Sequence, residues 1–205
     1  MVSHRVLTVT ALAGLCALIA APAFSQSRPQ LPTSSLNLGG QIKGLCMLSQ
    51  SQLIGQSKAG EAANARMQQL AQQAGREMNT KRDAFGKKVQ EFRNQQQTMQ
   101  PQQREDEQRK LQAEAQNIQK EANELEQRLR LTRARAINRI VIAAKPLLEE
   151  AYKSHACGVL IDRDASVLGG NDSNDLTDQV VKALDKKLPT ISFSLAALPK
   201  QTNGK

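Results

Sequence analysis

Two apolar stripes, each stepping by threes and fours and parted by one proline, constrain this chain more than anything else in it. The first runs Ala63, Met67, Leu70, Ala74, Met78, Lys81, Phe85, Val89, Phe92, Gln96 and Met99. The second runs Leu111, Ala115, Ile118, Ala122, Leu125, Leu129, Thr132, Ala136, Ile140, Ala143 and Leu147. A mean spacing near 3.5 residues is the signature of helices that pack along a seam. The extra step of four from Thr132 through Ala136 to Ile140 is a stutter, which locally unwinds a coil. Pro101 fits the first turn of a helix, where its missing N–H has no partner to lose. Glu105, Asp106 and Glu107 follow, where negative charge complements the helix dipole. The sequence therefore predicts two long helices, joined by a tight turn at Thr98–Gln100 and forced antiparallel by its shortness. At about 1.5 Å per residue, Lys58–Thr98 spans about 61 Å and the second helix up to about 80 Å. Pro146 is expected to kink the second helix near its end.

Composition agrees with an arm rather than a globule. Of 205 residues, only 2% are aromatic and none is Trp; aromatic side chains are the main source of buried area per residue. Many seam positions near the tip are Ala, Gln or Lys, which bury far less than the roughly 1.5–3 kcal/mol of a Leu or Phe. Gly75 and Gly86 each cost about 1 kcal/mol relative to Ala inside a helix. The arm is expected to be weakly held and able to splay.

Residues 1–25 read as an export signal. His4-Arg5 is followed by an apolar run from Val6 to Ala21 and by small residues fit for cleavage near 23–25. The run is short for a membrane helix, which needs about 20 residues. Cleavage would leave 27 Lys and Arg against 19 Asp and Glu, a net charge of +8, and two cysteines, Cys46 and Cys157. Export permits a disulfide.

Residues 26–41 read as a flexible leader, rich in Pro, Ser and Gln. Residues 42–57 and 154–188 form a small β/α body: a strand at 42–48, strands at 157–161 and 165–168, then a helix from Asp175 whose face carries Leu176, Val180, Leu184 and Leu188. Asn174 or Asp175 would cap it, and Pro189 stops it. The arm occupies 58–153 with its tip near 98–101, and 189–205 reads as a loose tail. The fold class is α+β and mostly α, a small sheet body with a long helical hairpin inserted between its strands. Because the arm returns to its own root, Cys46 and Cys157 should lie on strands of one sheet. A bridge between them would contribute about 4.7 kcal/mol by the chain-entropy model; two free buried thiols are the alternative.

Four features resemble the Skp/OmpH family of periplasmic chaperones: the export signal; the small-residue opening Ser57-Lys58-Ala59-Gly60-Glu61-Ala62-Ala63 after a strand; the Gln- and charge-rich hairpin; and the closing Gly158-Val159-Leu160-Ile161-Asp162-Arg163-Asp164-Ala165-Ser166-Val167 with Asp175-Leu176-Thr177-Asp178-Gln179-Val180-Val181. The likeness covers roughly residues 42–188. It implies a homotrimer in the periplasm, three arms around a cavity, and ATP-independent binding of unfolded outer-membrane proteins that prevents their aggregation. The first strand ends Leu48-Ser49-Gln50 where the family often has an acidic residue, and the leader, tail and cysteine pair are additions.

Physical chemistry fits such a holdase. Flexible, Met-containing, lightly apolar surfaces repack around many sequences. The candidate client-binding residues are Met67, Leu70, Met78, Phe85, Val89, Phe92 and Met99. For Phe85 and Phe92, seven apart, a coiled-coil core role competes with a client-facing one. Lys58–Lys153 holds 19 basic and 13 acidic residues, which would steer acidic clients inward and leave room for peripheral contact with an anionic membrane or lipopolysaccharide.

Catalytic constellations are missing, so no enzyme and no cofactor is expected. His155 with Cys46 and Cys157 falls one ligand short of a zinc site. Asp162-x-Asp164-x-Ser166 lacks the Gly and Glu of a calcium loop, and no GxxxxGK[ST] or GxSxG occurs. Specific nucleic-acid binding is disfavoured by the export signal and the shortage of stacking aromatics. The competing function is an envelope-tethering coiled coil with one fixed partner.

Overall fold

The computed structural model describes residues 36, 37 and 39–199. The export signal, most of the leader and the last six residues lie outside the described residues. Element order is β1 (Leu36–Asn37), β2 (Leu45–Leu48), α1 (Gln50–Gln56), α2 (Lys58–Gln95), α3 (Pro101–Ser154), β3 (Val159–Asp162), α4 (Arg163–Ser166), β4 (Gly169–Gly170) and α5 (Thr177–Lys187). One 3₁₀ turn at Asp172–Asn174 lies before α5.

The hairpin of α2 and α3 dominates. Spans of 38 and 54 residues correspond to about 57 and 81 Å. The turn comes slightly earlier than the sequence implies, because Gln96 already caps α2 through its N–H to the Phe92 carbonyl. Pro101 begins α3. Pro146 does not end α3, which continues to Ser154. A proline there leaves the carbonyl four residues earlier unpaired; that residue, Ile142, is exposed, as is Pro146 itself, so water can satisfy it.

The strands before and after the hairpin pair with each other. β2 and β3 are parallel, with Leu45 opposite Val159 and Leu48 opposite Asp162. Parallel strands need a crossover connection; here the crossover is the whole arm. Cys46 lies on β2, whereas Cys157 precedes β3 by two residues, and a disulfide joins them with Cα atoms 5.8 Å apart. β1 and β4 form a second parallel pair of two residues each. The other side of β2 is closed by the segment before α5. Leu176 donates its N–H to the Met47 carbonyl at 2.9 Å. Buried Asn174 accepts from the Ile42 N–H and donates to the Ile42 and Leu45 carbonyls, taking the place of a strand neighbour.

One expectation fails locally. Ala165–Leu168 is not a strand: residues 163–166 make one helical turn, α4, capped by Asp162, whose carboxylate accepts the Asp164 N–H at 3.0 Å. The polarity of Asp162-Arg163-Asp164 supplies a cap where the apolar alternation after it suggested an edge. The N-cap of α5 is Leu176, which has no side-chain cap bond, rather than Asn174 or Asp175; Asp175, just before it, accepts the Thr177 N–H at 2.9 Å and pairs with Arg163.

Helix α3 ends in a Schellman motif. The Cys157 N–H reaches the Tyr152 carbonyl and the Ala156 N–H the Lys153 carbonyl, both at 3.1 Å. Ala156 takes the left-handed position, φ 50°, usually held by glycine. That reversal turns the chain from arm into β3. Below it lies the core: Ala59, Ala63, Ala136, Ile140, Ala144 and Ala151 of the arm's root against Leu53, Leu176, Val180 and Leu184 of the body.

Candidate functional site

The seam of the arm changes character along its length. Near the root, Ala63, Leu70, Ala74 and Met78 of α2 and Thr132, Ala136, Ile140 and Ala144 of α3 are buried. Three successive steps of four, from Thr132 to Ala144, keep one face inward for longer than a heptad would. That is why Ala144, and not Ala143 of the expected stripe, carries the buried contact. Towards the tip, Phe85, Val89, Phe92 and Met99 are only half-buried, as are Ile118, Ala122, Leu125 and Leu129; Ala115 is exposed and Leu111 is buried.

Every candidate client-binding residue lies on this seam. Leu70 and Met78 are buried between the helices, and Met67, Phe85, Val89, Phe92 and Met99 are half-buried. The half-buried five keep part of their surface open at the edge of the seam, and fuller contact with another chain requires the helices to part. Lys81, which the stripe places on the seam, turns out to Glu121 of α3, and Lys88 meets Glu114 at 2.8 Å. Both pairs are largely exposed, where an ion pair contributes about 0–1 kcal/mol. Between the pairs and the root, a cleft of 270 Å³ opens, lined in part by Met78, Lys81, Glu121, Leu125 and Arg128.

The root is fastened from several directions. Buried Ser57 caps α2 by accepting the Gly60 N–H at 3.2 Å, and Asp185 of α5 accepts the Lys58 N–H at 2.8 Å. Gly60 packs against the preceding helix, since a Cβ there would sit 1.5 Å from the Ile54 carbonyl oxygen. Across the body, Asp164 accepts from the Ser49 hydroxyl at 2.5 Å and the Ser51 N–H at 2.8 Å, joining α4 to the start of α1. Burial opposes the Asp164 charge, but hydrogen bonds from Ser49 and Ser51, helped by Arg163, outweigh it and hold the carboxyl below its ordinary value. The two cysteine sulfurs are bonded to each other, so neither is a thiolate that could share a metal with His155; that ring hydrogen-bonds Gln179 at 2.7 Å.

The sequence reading missed one feature. Residues 189–199 do not hang free as a loose tail. They run in extended form along the arm. Ile191 is buried in the root core and Phe193 packs against it. Three arginines grip backbone carbonyls: Arg139 that of Ser192 at 2.9 Å, Arg66 that of Phe193 at 3.0 Å and Arg128 that of Ala196 at 2.9 Å. The Ala196 N–H donates to the Thr132 hydroxyl at 2.9 Å, which itself donates to the Arg128 carbonyl. Leu198 reaches a shallow pocket beside Gln116, Gln119, Asn123 and Gln127 of α3. The available signal was the alternation Ile191-Ser192-Phe193-Ser194-Leu195, a strand-like period after a helix stop.

A family model described as Outer membrane protein (OmpH-like) matches residues 45–184. Among solved structures, the chain is similar to a Caulobacter crescentus CB15 protein crystallised as a candidate outer membrane chaperone (OmpH-like). The two are 28% identical, with a TM-score of 0.74, over 80% of this chain and 96% of that one. No curated protein matches the chain. The matched span runs from β2, through the entire hairpin, to the buried face of α5 and takes in most of the body and all of the arm, so this chain belongs to the OmpH-like outer membrane protein family.

Proposed function

We propose that this protein is an ATP-independent holdase of the periplasm, which takes up unfolded outer-membrane proteins between its arms and keeps them from aggregating. The observation that carries the reading is the contrast within the seam. The root is closed by a buried core and the distal arm is not. Phe85, Val89, Phe92 and Met99 are half-buried there, and the ion pairs that join the two helices, Lys81–Glu121 and Lys88–Glu114, are largely exposed. A small movement of the helices would offer this apolar, Met-containing strip to a client, and such strips repack around many sequences. Many weak contacts add by avidity and still release. The excess of basic residues on the arm favours acidic clients.

A cage needs several arms, and the working unit in this reading is a homotrimer. The free edge of β3 supports association: Val159 and Leu160 are exposed on it, and among the described residues β3 pairs only with β2. An unpaired apolar strand edge is a site for joining another chain. The trimer number rests on the family resemblance.

The test uses the mature protein with two readouts. Light scattering gives the mass of the assembly, expected at three chains. Dilution of a urea-unfolded outer-membrane barrel protein, with and without equimolar trimer, gives holdase activity, expected as suppressed turbidity without ATP. A monomer that leaves aggregation unchanged would remove the reading. Tight binding of a single envelope partner with no effect on aggregation would favour the tethering alternative.

A further inference from the structure

We propose that the groove held open by Arg66, Arg128, Thr132 and Arg139 is a binding site for extended polypeptide with alternating apolar side chains, and that residues 189–199 occupy it as a displaceable internal ligand. The partner is an unfolded segment of β-strand pattern. This deepens the holdase reading and rests on it for the identity of the client, though not for the groove.

The contacts explain the selectivity. The arginines take carbonyl oxygens of Ser192, Phe193 and Ala196, and Thr132 takes the Ala196 N–H. All four contacts address the backbone, so they carry no preference for side-chain identity and would serve any extended chain. The side chains give only a period. Ile191, Phe193 and Leu195 turn inward to differing depths, while Ser192 and Ser194 are exposed. Strands of outer-membrane barrels alternate apolar and polar residues with this same period of two. The arginines come from both helices of the hairpin, Arg66 from α2 and the others from α3, so an occupant of the groove spans the seam. Below the tail lies the packed root, and beyond Arg128 the cleft beside Met78 and Leu125 begins. The tail continues past Arg128 along α3 as far as Leu198, beside Gln116, Gln119 and Asn123, so a client replacing it would run from the root out along the arm.

An internal occupant lowers apparent affinity by the fraction of molecules in which the groove is filled. The tail then acts as a threshold, yielding only to segments that match its pattern or arrive at high local concentration.

The experiment uses the full mature chain and a labelled synthetic peptide of residues 188–199. In wild-type protein, saturating peptide should speed exchange of the Ala196 amide, whose N–H is bonded to Thr132, and leave 45–48 unchanged. A chain carrying Phe193→Asp and Ala196→Pro, which expels the tail and deletes its N–H donor, should bind the peptide at least about tenfold tighter than wild type. Adding Arg66→Ala and Arg128→Ala should abolish that gain. A peptide of equal composition with its apolar residues in one block should bind more weakly. Equal affinity for both chains, or tail exchange unmoved at saturation, would overturn the proposal; if the variant fails to fold by circular dichroism, the wild-type exchange measurement decides alone. Peptide exchange without any suppression of barrel-protein aggregation would retain the groove and defeat the holdase reading. Suppression with no tail displacement would do the reverse.

Discussion

The root and the tip of the arm are built from the same two helices and held by different physics. At the root, Ile140, Ala59, Leu176, Val180 and Leu184 are almost fully buried, a disulfide crosses the body, and the Asp185 carboxylate of α5 together with backbone carbonyls of the tail fastens both helices. Past Met78 the seam is carried by half-buried apolar residues, with Leu111 the buried exception, and by surface ion pairs. The lesson is that one heptad pattern can specify a fixed anchor and a pliable arm, according to which residues fill it and what packs on its outer side. A binding surface that must be both present and concealed suits the second kind.

Breaking the anchor gives the largest effect. The disulfide links residues 111 apart in sequence, and closing such a loop stabilises by about 4–5 kcal/mol in the chain-entropy model. Urea unfolding of the oxidised protein should therefore move to markedly lower denaturant on reduction, or in a Cys46→Ala, Cys157→Ala chain. A shift below about 1 kcal/mol would mean the unfolded chain is already restricted. The contrast is then sharpened by paired truncations. Ile140→Ala, at a fully buried position, should cost about 2–5 kcal/mol. Phe92→Ala, where the ring is only half-buried, should cost about half that or less despite deleting more atoms. Equal losses would show that the distal seam is as tightly packed as the root. Client affinity separates them further: in the holdase reading, Phe92→Ala weakens binding while helicity stays intact.

Much of this was legible in the sequence, for a physical reason. Apolar spacing and a proline at a helix start are local signals, and they are enough for two long antiparallel helices meeting near residue 98. What sets the root is long-range. The small residues opening α2 were visible, but that Gly60 is required by the Ile54 carbonyl became visible only with α1 in place. Ala144 displaced Ala143 because the stutter accumulates over three steps of four. Residues 165–168 alternated like a strand and became a helical turn, since Asp162 and Asp164 capped the helices beside them. The tail was the largest omission. Its alternation is too short to signal an element by itself, and its hydrogen bonds go to arginines 53 to 127 residues away.

The smallest effect bears most directly on the comparison. Gly75 and Gly86 lie inside α2 with open space around them, since a Cβ at either would meet nothing within 4 Å. Gly60 on the same helix has no such room. Gly75→Ala and Gly86→Ala should each stabilise the arm by up to about 1 kcal/mol, through the backbone freedom that glycine loses on entering a helix. Where that gain is read matters more than its size. If arm and body unfold as one unit, amide exchange slows to a similar degree at residues 80–95 and at 140–150. If the distal arm opens independently, exchange slows in 80–95 alone and the melting temperature barely moves. In the holdase reading, the stiffened arm should in the second case also hold clients less well, because the free energy that keeps the helices together must be overcome before the half-buried Phe85, Phe92 and Met99 become fully available. A chain whose distal exchange slows while client binding is unchanged would place the binding surface elsewhere and leave the seam as structure alone.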